Sequence, residues 1–175
     1  MNERARFVSM YQQQASLSLT ILSAIPAELW TSIPADSETN FLGERIRKIT
    51  IAGLCGHLLQ AEYYWVTALA KVRTGDSLPP PVGVPMVQPE PAGEALIAQY
   101  RQQLQRISDA INALPDAQLQ VEFRFIGRLY TVQGFLWAMY AHHAYHFGQI
   151  DLLLRQQGYL PPEFLELPEL HALIG

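Results

Sequence analysis

The stretch Thr131–Gln157 reads TVQGFLWAMYAHHAYHFGQIDLLLRQQ, and the fold turns on how it is read. Its first part, 131–150, contains no Asp, Glu, Lys or Arg and has about the length of a membrane span. Three histidines, two glutamines and two glycines make it too polar for an isolated lipid-facing helix. It therefore reads as a buried helix with a polar lining, started by the N-cap Thr131 and stopped by Gly158. One face carries Phe135, Ala138, Met139, His142, Tyr145, His146, Gln149 and Leu153. The adjacent face carries Leu136, Tyr140, His143, Phe147, Ile150 and Leu154, and it is equally apolar. A helix apolar on nearly every side belongs inside a bundle or at a subunit interface.

Working outward, the residues just before this helix alternate as Val121–Phe125 and Arg128–Val132 around Gly127, which predicts a small hairpin. Before that, Leu96, Tyr100, Leu104, Ile107, Ile111 and Leu114 recur at helical spacing until Pro115 stops them. Six of the twelve prolines fall between Gly75 and Pro91, a stiff connection long enough to cross the end of a bundle. A helix capped by Thr50 precedes it, running to Arg73. The first helix places Phe7, Tyr11, Leu17, Ile21, Leu22 and Ile25 on its apolar positions and ends at Pro26. The expected helices thus span about 4–25, 50–73, 93–114 and 132–157, an all-α four-helix bundle with a hairpin before the last helix. The long connection implies at least one crossover. The whole chain, 1–175, reads as a single domain whose apolar, proline-interrupted tail, 159–175, packs on the bundle or on a partner.

Composition supports a globular domain. The chain is 49% hydrophobic and only 16% charged, which excludes disorder. A chain of this size can bury roughly 70% of its unfolded surface, so its fold requires neither disulfide nor metal. The net charge of −4, without a basic stripe, argues against nucleic acid and acidic membranes as partners. No export signal is expected from the polar N-terminal region, and the single Cys55 suits a reducing cytoplasm.

The chemistry lies in the histidines. His142 and His146 stand about 40° apart round the helix and about 6 Å apart along it, close enough to converge on one cation. A third ligand must come from another helix, and His57 is the candidate. Its face also carries Leu54, Leu58, Ala61, Tyr64, Trp65 and Ala68, so it points to the core, and Gly53 and Gly56 allow close approach. Periodicity leaves a second pairing open, His143 with His146, because both faces of the last helix are apolar. Cys55 lies about 160° from His57 round its helix and reads as a small buried hydrophobe.

Two motifs carry a resemblance. AHHAYHFGQIDLLLRQQGY resembles the last helix of the DinB/YfiT-like metalloenzyme family, with histidine, three residues, histidine, then x-Gly-Gln-Ile in the family's pattern. LCGHLLQAEYYW resembles that family's second-helix histidine motif, and MYQQQASLSLTILSAIPAELW suits its first helix. The resemblance implies a DinB-type four-helix bundle holding a divalent metal through His57, His142 and His146, with His143 a neighbour only. Zn, Ni, Fe and Mn are not distinguished. It also implies a homodimer. One departure is Phe147, where the family often has Arg, removing a cationic contact.

Three neutral ligands would leave the cation's charge uncompensated and acidify a bound thiol or water. The resemblance thus implies an enzyme acting on a small-molecule substrate with a low-molecular-weight thiol or water, a thiol-dependent transferase or a hydrolase. The competing expectation is a non-catalytic dimer whose metal is structural or sensory. Gln149 and Tyr64 are the candidates for supporting the ligands. A zincin is excluded because His143 stands where its catalytic Glu would be. A di-iron site is excluded because no Glu-x-x-His pair lies on the core helices.

Overall fold

The computed structural model describes residues 2–35, 49–81 and 92–162. Four long helices form the bundle: α1, Glu3–Ser23; α2, Ile51–Leu69; α3, Glu94–Asn112; and α5, Val132–Gln156. A single-turn α4, Asp116–Leu119, and a short 3-10 turn, Ala27–Thr31, accompany them. The caps expected from sequence are present. Thr50 Oγ1 accepts from Gly53 N at 2.9 Å and Thr131 Oγ1 from Gly134 N at 3.0 Å. Gly158 takes φ +76° to end α5.

The packing order is not sequential. α1 lies against α3 and α5, and α2 lies against the same two helices, so α1 faces α2 and α3 faces α5 across the bundle's diagonals. The crossovers therefore lie in the α1–α2 and α3–α5 connections, whereas the proline-rich connection, expected to cross the end of the bundle, joins the adjacent helices α2 and α3; its residues 82–91 lie outside the described set.

Three details depart from the sequence expectations. α2 ends at Leu69 rather than Arg73, because Gln118 of α4 takes the carbonyls of Leu69 and Val72 at 2.7 and 2.9 Å. The Arg73 N–H meanwhile donates to Asp76 Oδ2. A two-residue strand β1, Ser77–Leu78, then adds in parallel to the expected hairpin, forming a sheet in the order β1-β2-β3. The hairpin strands are β2, Glu122–Phe125, and β3, Arg128–Thr131, with Arg124 opposite Leu129. Ile126 and Gly127 both have positive φ, the backbone of a two-residue hairpin turn that matches strand twist. α4 was not foreseen, since one turn of helix leaves no periodicity to read.

Two apolar clusters fill the bundle. One holds Phe7, Ile107, Ile111, Phe123 and Phe135 near the sheet. The other holds Leu22, Leu54, Leu58, Leu96, Ile150 and Leu154 toward the opposite end. Between them lies a layer of buried polar groups: Gln14, Ser18, Glu62 and His143. The second face of α5 is largely covered by the chain's own helices, since Leu136, Phe147, Ile150 and Leu154 are buried and Tyr140 is half-buried. It therefore does not itself require a second subunit. Of the tail, Tyr159 donates its hydroxyl to the Ala24 carbonyl at 2.7 Å and Pro161 is buried. Residues 163–175 lie outside the described set. No described helix is long and apolar enough to cross a membrane.

Candidate metal centre

α2 and α5 bring three imidazoles together on the edge of the polar layer. Taking one ring nitrogen from each, His57, His142 and His146 place these atoms within 4.8 Å of one another. The Nε2 atoms of His142 and His146 are 3.0 Å apart, and those of His57 and His142 are 3.4 Å apart. A cation with metal–nitrogen bonds of about 2.0–2.1 Å separates neighbouring ligand nitrogens by roughly 3.0–3.4 Å. The cluster therefore has the dimensions of one coordination sphere. His142 Nε2 stands against both partners, and a ring nitrogen carries at most one proton. Hydrogen bonding among the rings would satisfy only one of these approaches well, whereas a shared cation satisfies both.

The surroundings fit that role. His146 donates Nδ1–H to Gln149 Oε1 at 2.6 Å, which leaves Nε2 as the free ligand atom. Trp65 sets its ring edge-on to His142 with centroids 4.8 Å apart, walling one side with an aromatic surface. Tyr145 stacks its edge against His146 and stays largely exposed. His146 is only 5% exposed, and the rings of His57 and His142 are half-buried. The cluster is thus reachable from one side and dry on the other.

The remaining candidates fall elsewhere. His143 does not join His146. Its ring turns into the core, with Nδ1 2.9 Å from Glu62 Oε1 and Nε2 2.8 Å from the Tyr100 hydroxyl and 3.0 Å from Ser18 Oγ. Tyr64 donates its hydroxyl to the Pro79 carbonyl at 3.3 Å, tying α2 to the chain after β1. Cys55 is fully buried, and that burial, followed by the Glu62 carboxylate, pushes its thiol far above the ordinary range. Sequence reading missed Glu62, Tyr11, Ser18 and Tyr100. The available signal was Glu62 itself, the one charged residue in the apolar run from Ile51 to Ala70.

Burial and the neighbouring imidazoles also set the protonation of the cluster. His142 is pushed down to about 3 from 6.5, by burial first and then by repulsion from His146 and His57. His146 is pushed down to about 4, again chiefly by burial, with the Gln149 hydrogen bond opposing. Unfolded imidazoles take up protons near pH 6.5, while the folded ones resist until pH 3–4, so the unfolded state binds more protons in between. Stability of the metal-free protein is therefore full above pH 6.5 and falls as pH drops through that window. After allowance for solvent contact and coupling, the loss is on the order of 2 kcal/mol, or about 5 °C in Tm. Thermal unfolding between pH 7 and 4.5 will show this slope, and His142→Ala will flatten it. Equal slopes in both proteins would contradict it.

Comparison with known proteins identifies the family and the fold. The sequence profile of the DinB superfamily matches residues 10–150. Comparison with curated protein sequences finds no match. Among solved structures, the DinB-like protein YjoA of Bacillus subtilis superposes with a TM-score of 0.61 at 17% identity, covering 90% of this chain and 96% of that one. YfiT of Bacillus subtilis, described as a probable metal-dependent hydrolase with an unusual four-helix bundle topology, superposes with a TM-score of 0.63 at 12% identity. That match covers 89% of this chain and 88% of YfiT. These two likenesses are of fold, and the sequence match spans all four long helices but for the ends of α1 and α5. The chain belongs to the DinB superfamily.

Proposed function

We propose that the protein is a divalent-metal-dependent enzyme that uses a low-molecular-weight thiol or water against a small-molecule substrate, as a thiol-dependent transferase or a hydrolase. The observation that carries this reading is the set of three imidazole nitrogens at ligand spacing, open to solvent on one side. A cation bound there would supply Lewis acidity, lowering the pKa of a thiol or water toward neutrality. The chain's own contributions are separate. Neutral imidazoles at physiological pH leave the cation's charge undiminished, as the depressed His142 and His146 require. Gln149 holds the His146 tautomer, and Trp65 excludes water from the inner side of the cluster.

Elemental analysis of the purified protein, followed by a transfer screen with several low-molecular-weight thiols, tests this directly. One equivalent of metal and turnover that vanishes on chelation are expected. Metal without turnover, with any thiol or with water as nucleophile, would instead favour a structural or sensory dimer. We further propose that the protein forms a homodimer, using the uncharged exposed strip of α5 that carries Ala141, Tyr145, Gly148 and Leu152. Light scattering at micromolar concentration should give twice the chain mass, and a monomer would refute the pairing.

A further inference from the structure

Glu62 and His143, on the same two helices as the three-histidine cluster, belong to a second set of polar side chains that takes no part in it. Glu62 is 1% exposed, and His143, Tyr11, Tyr100 and Ser18 are each 0% exposed. The Glu62 carboxylate accepts from the Tyr11 hydroxyl at 2.7 Å and from His143 Nδ1–H at 2.9 Å. On its other edge His143 meets Tyr100 and Ser18, and Ser18 donates to the Gln14 carbonyl at 2.9 Å. Each of the four long helices contributes. Tyr11 reaches Glu62 across one diagonal of the bundle, and Tyr100 reaches His143 across the other.

This placement bears on a question that apolar packing leaves open. α5 is apolar on adjoining faces, so rolling it by about 100°, one residue step, exchanges one set of hydrophobic side chains for another. The same roll would swap His143 for His142 opposite His57. Hydrophobic burial is non-directional and does not distinguish the two arrangements strongly. A buried polar network does, because in the rolled state the Glu62 carboxylate would keep only the Tyr11 hydroxyl and buried Tyr100 would lose its imidazole partner.

We infer that the network of Tyr11, Glu62, Tyr100 and His143 is a positioning device that fixes the roll of α5 and so selects His142 and His146, not His143, to face His57. Its bearing on metal chemistry rests on the reading of the cluster as a metal site; its bearing on helix roll does not. Glu62 and His143 are positioning residues, since neither touches the three clustered rings' ligand atoms. Fixing register or orientation is the best-attested use of a buried polar group that adds little net stability.

The test replaces the network without leaving buried polar groups orphaned: Tyr11→Phe, Glu62→Leu, Tyr100→Phe and His143→Leu together. Ser18 keeps its bond to Gln14 in this variant. Ile111→Ala serves as a control of comparable or greater destabilisation, about 16 Å along α3 from Tyr100. Cobalt(II) is the probe, its affinity and visible absorption reporting ligand number and geometry. The fourfold variant should keep a Tm near that of the wild type yet bind cobalt about tenfold more weakly, the lower range for lost ligand support. Ile111→Ala should lose Tm but keep wild-type affinity and spectrum. Independently of metal, imidazole 15N spectra of the metal-free proteins should show one set of His142 and His146 signals in the wild type and more than one in the fourfold variant. A folded fourfold variant with wild-type affinity and one signal set would overturn the inference. Should that variant not fold, Tyr100→Phe alone, which removes a direct hydrogen bond to His143, decides: several-fold weaker cobalt binding supports the inference, and unchanged binding overturns it. Wild-type protein that takes no cobalt would defeat the metal reading alone, leaving the nitrogen spectra to judge the roll.

Discussion

His142→Ala is expected to weaken divalent-cation binding by more than the roughly 100-fold that loss of an outer supporting group costs. His142 is the hub of the cluster, its Nε2 being 3.0 Å from that of His146 and 3.4 Å from that of His57. Removing it leaves two rings that no longer share a neighbour. The helical circular dichroism signal should survive, because the two apolar clusters are built from other side chains. Metal-free stability near neutral pH should hardly fall, since the ring is half-buried and its Nδ1 finds no hydrogen-bond partner among the described residues. His57→Ala and His146→Ala should weaken cation binding alike. Isothermal titration with zinc and nickel, set against thermal unfolding of the same samples, checks both halves of the expectation. Unchanged affinity in any one variant would remove that residue from the site.

His143→Ala should do the reverse, costing the fold first. It strips the Glu62 carboxylate of its N–H donor, leaving a 1% exposed anion held only by the Tyr11 hydroxyl. Two buried groups, Glu62 and the Tyr100 hydroxyl, each lose a hydrogen-bond partner at about 1–3 kcal/mol apiece, so about 3–5 kcal/mol is expected in all. For a domain of this size that lowers Tm by about 10 °C or more. Burial and the Glu62 charge push the Tyr11 and Tyr100 hydroxyls well above their ordinary range, so both remain protonated donors at neutral pH. Tyr11→Phe should lose less, about 1.5–3 kcal/mol for a hydrogen bond to a charged group. Urea and thermal unfolding measure these directly. A His143→Ala loss under about 1 kcal/mol would mean that Glu62 and Tyr100 are not left without partners when the ring is removed.

The contrast between adjacent histidines shows what could be read from the chain and what could not. Local signals were legible: Thr50 and Thr131 cap their helices, Pro115 and Gly158 end theirs, and Gly127 turns the hairpin. These depend on one or a few neighbouring residues, so sequence carries them whole. The order of helices round the bundle was less legible, because it depends on which of several apolar faces meet. The same limit applied to α5. Its pattern alone left His142 and His143 interchangeable opposite His57, and only Glu62 on another helix distinguishes them. Glu62 was visible as a lone charge in an apolar helix, but its partners lie 51 and 81 residues away along the chain. Tyr64 illustrates the converse. Its place one step round from His57 made it a neighbour in projection, yet its hydroxyl reaches past the cluster to Pro79.

X-ray absorption at the metal edge of the zinc- or nickel-loaded protein counts the imidazole ligands themselves. A single cation per chain with three imidazole nitrogens at about 2.0–2.1 Å, its remaining positions filled by light atoms from solvent, is the predicted result. A spectrum showing fewer than three imidazoles, or a protein that takes up no stoichiometric metal at neutral pH, would contradict it.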